Sequence, residues 1–288
     1  MTKASTHAGP IDLAEELIRP PSPGKLPVGP LMDPRQQLER IVGGEGHPPD
    51  RIQTLRQDIH QQLLRDSPEI DAPNFRRVST HDLKTLFEHY DRSFFDGLLR
   101  QQAQHPRLTF RLSRRMTSTG GKTVVKRLRG RSELDFEIAV STTLLFETFR
   151  DDAREVSVGG VPCRDRLDAL QRILEHELVH LIEVWLWQGT SCAKPRFQGI
   201  ARRLFGHEEH THRLVTPRER ATTRLGLTPG REVSFMFEGK RTRGIINRVT
   251  RRATVLVPDP EGDRYSDGKR YLKYYVPLDA LEPASPPP

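Results

Sequence analysis

Residues 164–187 read RDRLDALQRILEHELVHLIEVWLW, and they constrain the fold more than any other part of the chain. Leu167, Leu170, Ile173, Leu174, Leu178, Val179, Leu181, Ile182, Val184, Trp185, Leu186 and Trp187 leave the second half apolar on nearly every side. Such a helix is enclosed by a core rather than laid upon one. Polar groups inside it need a reason. His176 and His180 are four residues apart, so they lie about 40° from each other on one face, one turn along the axis. Two imidazoles so placed can grip one ion, and His176-Glu177-Leu178-Val179-His180 is the H-E-x-x-H pattern of zinc hydrolases. A catalytic Zn²⁺ takes three protein ligands plus a water whose pKa it lowers toward about 7. Glu177 is the neighbouring carboxylate able to take that proton. Glu183 falls near the same face and reads as a partner of a ligand rather than a ligand. The competing reading, two core histidines bonded to neighbours with Glu177 at a rim, needs no metal.

Composition bounds the rest. Hydrophobic residues make up 35% of 288 and mean hydropathy is −0.62, so the core must be concentrated and the ends disordered. Prolines from Pro10 to Pro49 mark residues 1–50 as a disordered tail, with residues 11–18 (IDLAEELI) as a candidate short amphipathic helix. No apolar run reaches about 18 residues and MTKASTHAGP lacks a signal-peptide core, so the expectation is a cytoplasmic protein with no membrane partner. Cys163 and Cys192 alone exclude a disulfide framework and a four-cysteine zinc ribbon. A net charge of +8 and a pI near 9.8 point to a polyanionic partner, DNA or RNA. An arginine-rich composition without such a partner explains the charge equally well.

Periodicity predicts a helix over residues 50–64 and another starting at Ser79 or Thr80, with Leu83, Leu86, Phe87, Tyr90, Phe94 and Leu98 on one side. Residues 107–113, 122–127 and 134–141 alternate as strands, expected to form a small antiparallel sheet; residues 156–158 add an edge strand. Residues 195–205 (PRFQGIARRLF) read as a helix with proline at its first position and Gly206 at its end. Residues 217–230 read as a polar linker between a domain spanning 51–216 and one spanning 231–282; 283–288 is a second tail. The period then changes: four or five short strands suggest a small β-barrel. There Arg241, Arg243, Arg248, Arg251, Arg252 and Lys273 interleave with Tyr265, Tyr271, Tyr274 and Tyr275, a pattern in which aromatic faces stack bases while cations meet phosphates. A basic surface over an aromatic core accounts for the same residues. The fold class expected is α+β.

Taken together, Leu86-Phe87, Tyr90-Asp91 and Phe94-Phe95, the turn Met116–Gly121, Ile138-Ala139-Val140-Ser141 and the H-E-x-x-H segment resemble the SprT-like (Spartan) family of zincin metalloproteases. The resemblance covers roughly residues 80–216. It implies a zincin-like domain and protein cleavage, in some members of proteins bound to DNA, with His176 and His180 as ligands and Glu177 as base. Two departures stand out. The family's third ligand is a histidine in a His-Gly-Pro-x-Phe stretch, and Ala193-Lys194-Pro195-Arg196-Phe197 stands there instead; the family's zinc ribbon is also missing. Cys192, His207 and His212 are the candidates for the third ligand. If the helix from Pro195 runs back along the active-site helix, Gly206 returns to the level of His176, and His207 is the choice, a neutral imidazole keeping zinc more acidic than a thiolate does.

The function expected is therefore that of a zinc metalloendopeptidase on a protein substrate, nucleic-acid-associated proteins being one such class, with the oligomeric state unspecified. The alternative is a non-catalytic nucleic-acid-binding protein with a structural or degenerate zinc site.

Overall fold

In a computed structural model, residues 33–103, 107–127, 134–150 and 154–283 are described. In chain order they form α1 (Pro34–Gly43), α2 (Pro49–Asp66), α3 (Thr80–Phe95), α4 (Leu98–Gln102), β1 (Leu108–Ser113), β2 (Gly121–Arg127), β3 (Leu134–Ser141) and α5 (Thr142–Thr148). Then come β4 (Ser157–Val158), β5 (Val161–Pro162), α6 (Arg166–Trp187), α7 (Pro195–Phe205), β6 (His212–Arg213) and α8 (Pro217–Leu225). The last part holds β7 (Glu232–Phe237), β8 (Lys240–Val249), β9 (Arg252–Arg264), β10 (Arg270–Pro277), a 3₁₀ turn (Leu278–Ala280) and β11 (Glu282–Pro283). The architecture is α+β. No helix among the described residues is long and apolar enough to cross a membrane.

The enclosed helix is α6. Asp165 caps it, its side chain accepting the Asp168 amide at 2.8 Å, and only His180, Trp185 and Trp187 of its residues are not buried. Its core partners come from α1, α2, α3, α5, α7 and the first sheet in one apolar cluster that includes Leu38, Leu63, Phe95, Ile138, Leu170, Ile182 and Phe205. α3 starts with a full capping box, Ser79 and Asp82 each bonding the other's backbone amide.

Four expectations are corrected. The first concerns the tail: α1 lies inside residues 1–50 and buries Leu38 and Val42 in the main core, because Pro34 opens a helix where a missing amide costs nothing. Residues 11–18 lie outside the described part. The second concerns the first sheet. Its order is β1-β3-β2, with β1 parallel and β2 antiparallel to β3, so it is mixed rather than antiparallel. The connector from β1 to β2 passes the end of β3, where Gly120 O accepts the Ser141 amide (2.8 Å) and Met116 O accepts the Ser141 hydroxyl (2.6 Å). That leaves β2 on the edge.

The third concerns residues 217–230. Most of the supposed linker is α8: Thr216 accepts the Glu219 amide, Pro217 sits in the first turn, and Gly226 ends the helix with φ 60°. α8 ties the parts together rather than separating them. Ala221 enters the second core, while Arg220 bonds the Glu147 carbonyl at 2.6 Å and its carboxylate at 3.0 Å. Residues from Pro34 onward accordingly form one compact unit. The fourth concerns the barrel. The last five strands pair antiparallel in the order β10-β9-β8-β7-β11, which leaves β10 and β11 as edges rather than a closed ring. The sheet nonetheless curls: Tyr274 of β10 meets Phe235 and Phe237 of β7, strands that are not neighbours in the sheet, at ring separations of 5.4 and 5.0 Å. Val233, Phe235, Ile246, Val255, Val276 and Leu281 fill its inside.

Candidate metal centre

Two of the candidate ligands sit on one turn of α6. His176 Nε2 and His180 Nε2 are 3.2 Å apart. Ligands about 2.0–2.1 Å from a tetrahedral zinc are separated by about 3.3 Å, so the pair is already at ligand spacing. The Phe197 ring of α7 packs against both imidazoles, with centroids at 4.8 and 4.4 Å, and fixes their planes. After α6 the chain reverses at Gln188, which adopts φ 55°, and brings Cys192 back over the pair. The Cys192 sulfur and one ring nitrogen from each histidine lie within 4.8 Å of one another.

A relay orients His180. Thr190 donates its hydroxyl to Glu183 Oε2 at 2.6 Å and therefore accepts from His180 Nδ1, also at 2.6 Å. With Nδ1 carrying the proton, Nε2 presents a lone pair toward His176. Glu183 is itself held by Arg196 Nε at 2.6 Å. Glu183 is thus linked through Thr190 to a candidate ligand and is not itself one of the three convergent donors. Burial holds the His180 pKa down to about 4, against the opposing pull of Glu183, and burial followed by the neighbouring imidazoles holds His176 lower still. Both rings are neutral at neutral pH, the state in which imidazole ligates a metal.

Glu177 faces the edge strand β2. Thr123 Oγ1 donates to its Oε2 at 2.8 Å, and burial pushes the carboxyl up to about 7 although that hydrogen bond opposes the rise. The strand comes so close that a Cβ on Gly121 would stand 2.5 Å from Glu177 Oε1, and one on Gly120 would stand 2.9 Å from His212 Nδ1. The Gly120-Gly121 pair is what lets the sheet edge lie over the helix face.

His207 is not at this centre, which corrects its choice as third ligand. α7 does return to the level of the histidines, but His207 Nε2 bonds Glu175 Oε2 at 2.8 Å. Glu175 is completely buried and also receives Arg56 (2.8 and 2.6 Å), Tyr90 (2.6 Å) and Arg172 (3.0 Å). Burial alone would raise its pKa, yet Arg172, Arg56 and the His207 bond hold it well below the usual carboxylate range. A buried carboxylate needs such partners, because an unpaired one costs several kcal/mol. Being one residue from His176 turns Glu175 about 100° away around the helix. The third candidate, His212, stands against His176 with ring centroids 4.5 Å apart, and neither of its ring nitrogens has a hydrogen-bond partner. Burial, then His207 and His180, hold its pKa down to about 4.

Comparison with known proteins adds no relative. The chain matches no family model, no curated protein and no solved structure. The reading of the centre rests on its own geometry.

The six cations expected to meet nucleic acid do not form one patch. Arg241 pairs with Glu282 at 2.9 Å, and Lys273 pairs with Asp263 at 2.8 Å beside the Tyr265 ring. Arg243 and Arg248 are exposed on β8. Arg251 and Arg252 instead line a cleft of about 650 Å³ with Arg114, Arg150 and Arg220, between α5, α8 and the second sheet. Of the four tyrosines, Tyr271 is buried, Tyr265 packs on Tyr271, and Tyr274 packs on two phenylalanines; Tyr275 is 66% exposed.

The sequence assigned no role at the site to Thr190, Thr123 or Gly121. Each acts through a hydrogen bond or a close approach to a residue far along the chain or across a turn, for which no motif exists.

Proposed function

We propose that this chain is a zinc-dependent endopeptidase whose metal is held by His176, His180 and Cys192. The observation that carries the reading is the convergence of these three donors beside a buried Glu177. A zinc ion bound there would supply Lewis acidity to polarise a substrate carbonyl and acidify a water. Three ligands leave a fourth position for that water, and thiolate ligands are compatible with catalytic zinc. The chain's own residues do the rest. Glu177, with a pKa near the working pH, accepts a proton from water and returns one to the leaving amine, which is what a general base and acid requires. Thr190 and Glu183 keep the His180 lone pair aimed inward. β2 is a sheet edge, and its backbone can pair with an extended peptide directly over Glu177. The arginine-lined cleft and the charge of +8 favour protein substrates carried on nucleic acid.

The test is metal content and proteolysis measured together on wild type and Glu177→Gln. About one zinc per chain in both, with peptide cleavage only in wild type, is the expected result. A variant that cleaves as well as wild type removes Glu177 from its role, and a wild type without zinc removes the reading.

One observation favours a second reading. The two unpartnered nitrogens of His212 beside His176 offer a fourth ligand, and a site closed by two further residues holds zinc without room for water. X-ray absorption separates the two: four protein ligands mean a structural site, three plus oxygen a catalytic one.

A further inference from the structure

Outside the second sheet, only two large apolar side chains among the described residues are exposed: Val125 of β2, at 42%, and Trp187 of α6, at 39%. Both belong to elements that build the candidate metal centre.

The first sheet has an outer and an inner face. On β3, Glu137 points outward, where Arg111 and Lys126 bond it, while Phe136 and Ile138 enter the core. Residues directly opposite across a strand pair share a face. Thr123 lies opposite Ile138 and Val125 opposite Phe136, so both are on the inner face. Thr123 spends its hydroxyl on Glu177. Val125, two residues on, stays open to water because β2 is the edge and no described strand lies outboard of it.

β2 also runs along α6. A Cβ on Gly120 would meet Ile173, one on Gly121 would meet Glu177, and Thr123 reaches the Glu177 carbonyl at 3.1 Å. Phe136, opposite Val125, packs on Trp185 with ring centroids 5.9 Å apart. Val125 therefore stands beyond Glu177, toward the C-terminal end of α6. Trp187 marks that same end. Lying seven residues after His180, it is about 20° from it around the helix and about 10 Å along the axis, so it continues the face that carries the histidines. Arg196 holds it in place, with its guanidinium 4.6 Å from the ring centre and its nitrogens bonded to Glu183 at 2.6 Å and to the Gly189 carbonyl at 2.8 Å.

An extended peptide paired with the open edge of β2 alternates its side chains between the two faces. With its scissile bond over Glu177, next to Thr123, the side chain two residues away falls beside Val125 on the inner face. An apolar side chain at that place takes the exposed surface of Val125 and Trp187 out of water.

We propose that Val125 and Trp187 form an apolar subsite, through which the chain selects peptides carrying a large aliphatic or aromatic residue two positions from the bond to be cut. This rests on the endopeptidase reading, and the direction in which the peptide pairs with β2 sets on which side of the bond that residue lies.

Digestion of a degenerate peptide library by the zinc-loaded full chain, with the products sequenced by mass spectrometry, tests this. The expected result is enrichment of large apolar residues at one position, two residues from the cut. For peptides that differ only there, kcat/KM with phenylalanine should exceed that with alanine by about tenfold or more, the effect of burying one such side chain. Val125→Asp should bring this ratio close to one; Trp187→Ala should lower it and Trp187→Phe restore it. Melting curves and zinc content of each variant verify that the fold and the centre persist. Cleavage without apolar enrichment at that position, or a ratio unchanged in Val125→Asp and Trp187→Ala, overturns the subsite and leaves the endopeptidase reading standing. A dimer that Val125→Asp splits into monomers also overturns it, because the edge then belongs to a second copy of the chain. If wild type cuts nothing, the library is passed over the immobilised chain. Apolar peptides retained by wild type and not by Val125→Asp keep the subsite and overturn only the endopeptidase reading; no such retention overturns both.

Discussion

His207 donates to Glu175 across 2.8 Å, both side chains wholly enclosed, one residue along the helix from a candidate metal ligand yet pointing to a different side of it. The expected consequence is a separation of phenotypes. His207→Ala should retain zinc but unfold more easily, by about 1–3 kcal/mol for a buried acceptor deprived of a donor. Cys192→Ala should retain its melting temperature without metal and lose zinc. Elemental analysis with thermal melts on both variants checks this; loss of zinc in His207→Ala and not in Cys192→Ala would reverse the ligand assignment.

The two cysteines should differ sharply toward alkylation. Burial pushes the Cys163 thiol up to about 12, whereas Cys192 is only half-buried. Thiolate is the reactive form, so near pH 8 iodoacetamide should label Cys192 alone in the native chelator-treated chain, and added zinc should protect it. Mass spectrometry of the labelled peptides reads the outcome. Equal labelling with and without zinc would take Cys192 off the metal.

Thr190→Val keeps the shape of the side chain and removes the link between His180 and Glu183. Zinc affinity should fall by about 10- to 100-fold with little change in melting temperature, the usual effect of losing a group that orients a ligand. Competition with a chelator of known affinity measures it, and an unchanged affinity would make the relay incidental.

For Glu177 the sign of the pH effect is fixed by the direction of its shift. The carboxyl is raised from 4.5 to about 7, so between these values the folded chain holds a proton that the unfolded chain has released. This contribution is fully present below about pH 4.5 and is lost as the pH rises through about 7, amounting to about 3 kcal/mol at 1.36 kcal/mol per pH unit. Metal-free Glu177→Gln should lack it. Denaturant titrations of the two metal-free proteins from pH 4.5 to 8 should therefore diverge, with Gln the more stable at pH 8; parallel curves would contradict the burial of this carboxyl.

Nucleic-acid binding, if the cleft carries it, should depend on Arg251 and Arg252 more than on Arg241, whose charge is paired with Glu282. The Arg251→Glu, Arg252→Glu double variant should bind duplex or single-stranded probes more weakly and lower the salt slope by about one or two units, roughly one for each phosphate no longer neutralised. An equal loss in Arg241→Glu would place the binding surface on the strands.

The sequence made the long helices, the paired histidines and most of the strands legible, because each rests on a local period or spacing. α7 was foreseen at both its ends, since Pro195 and Gly206 are local signals. The same kind of residue misled at α8, where Pro217 reads as a breaker but serves as a first-turn proline. Sheet order was hidden, because alternation within β1 and β3 says nothing of which strand lies between which. The ligand choice was hidden for a related reason. Counting residues along α7 places His207 at the right height, but the side of α6 it meets depends on the partners that bury Glu175, and four of those, Arg56, Tyr90, Arg172 and His207, come from four separate places in the chain.

The last described strand, β11, sits beside β7, the first strand of the second sheet, after the 3₁₀ turn has carried it across from β10. During synthesis β7 therefore emerges before its outer neighbour exists, with the backbone donors and acceptors of Val233 and Ser234 open along its flank. A nascent chain in that state is a template for joining another such chain. The last few residues of the sheet thus act as a latch on solubility, and a premature stop just before them should yield a protein that aggregates as it leaves the ribosome.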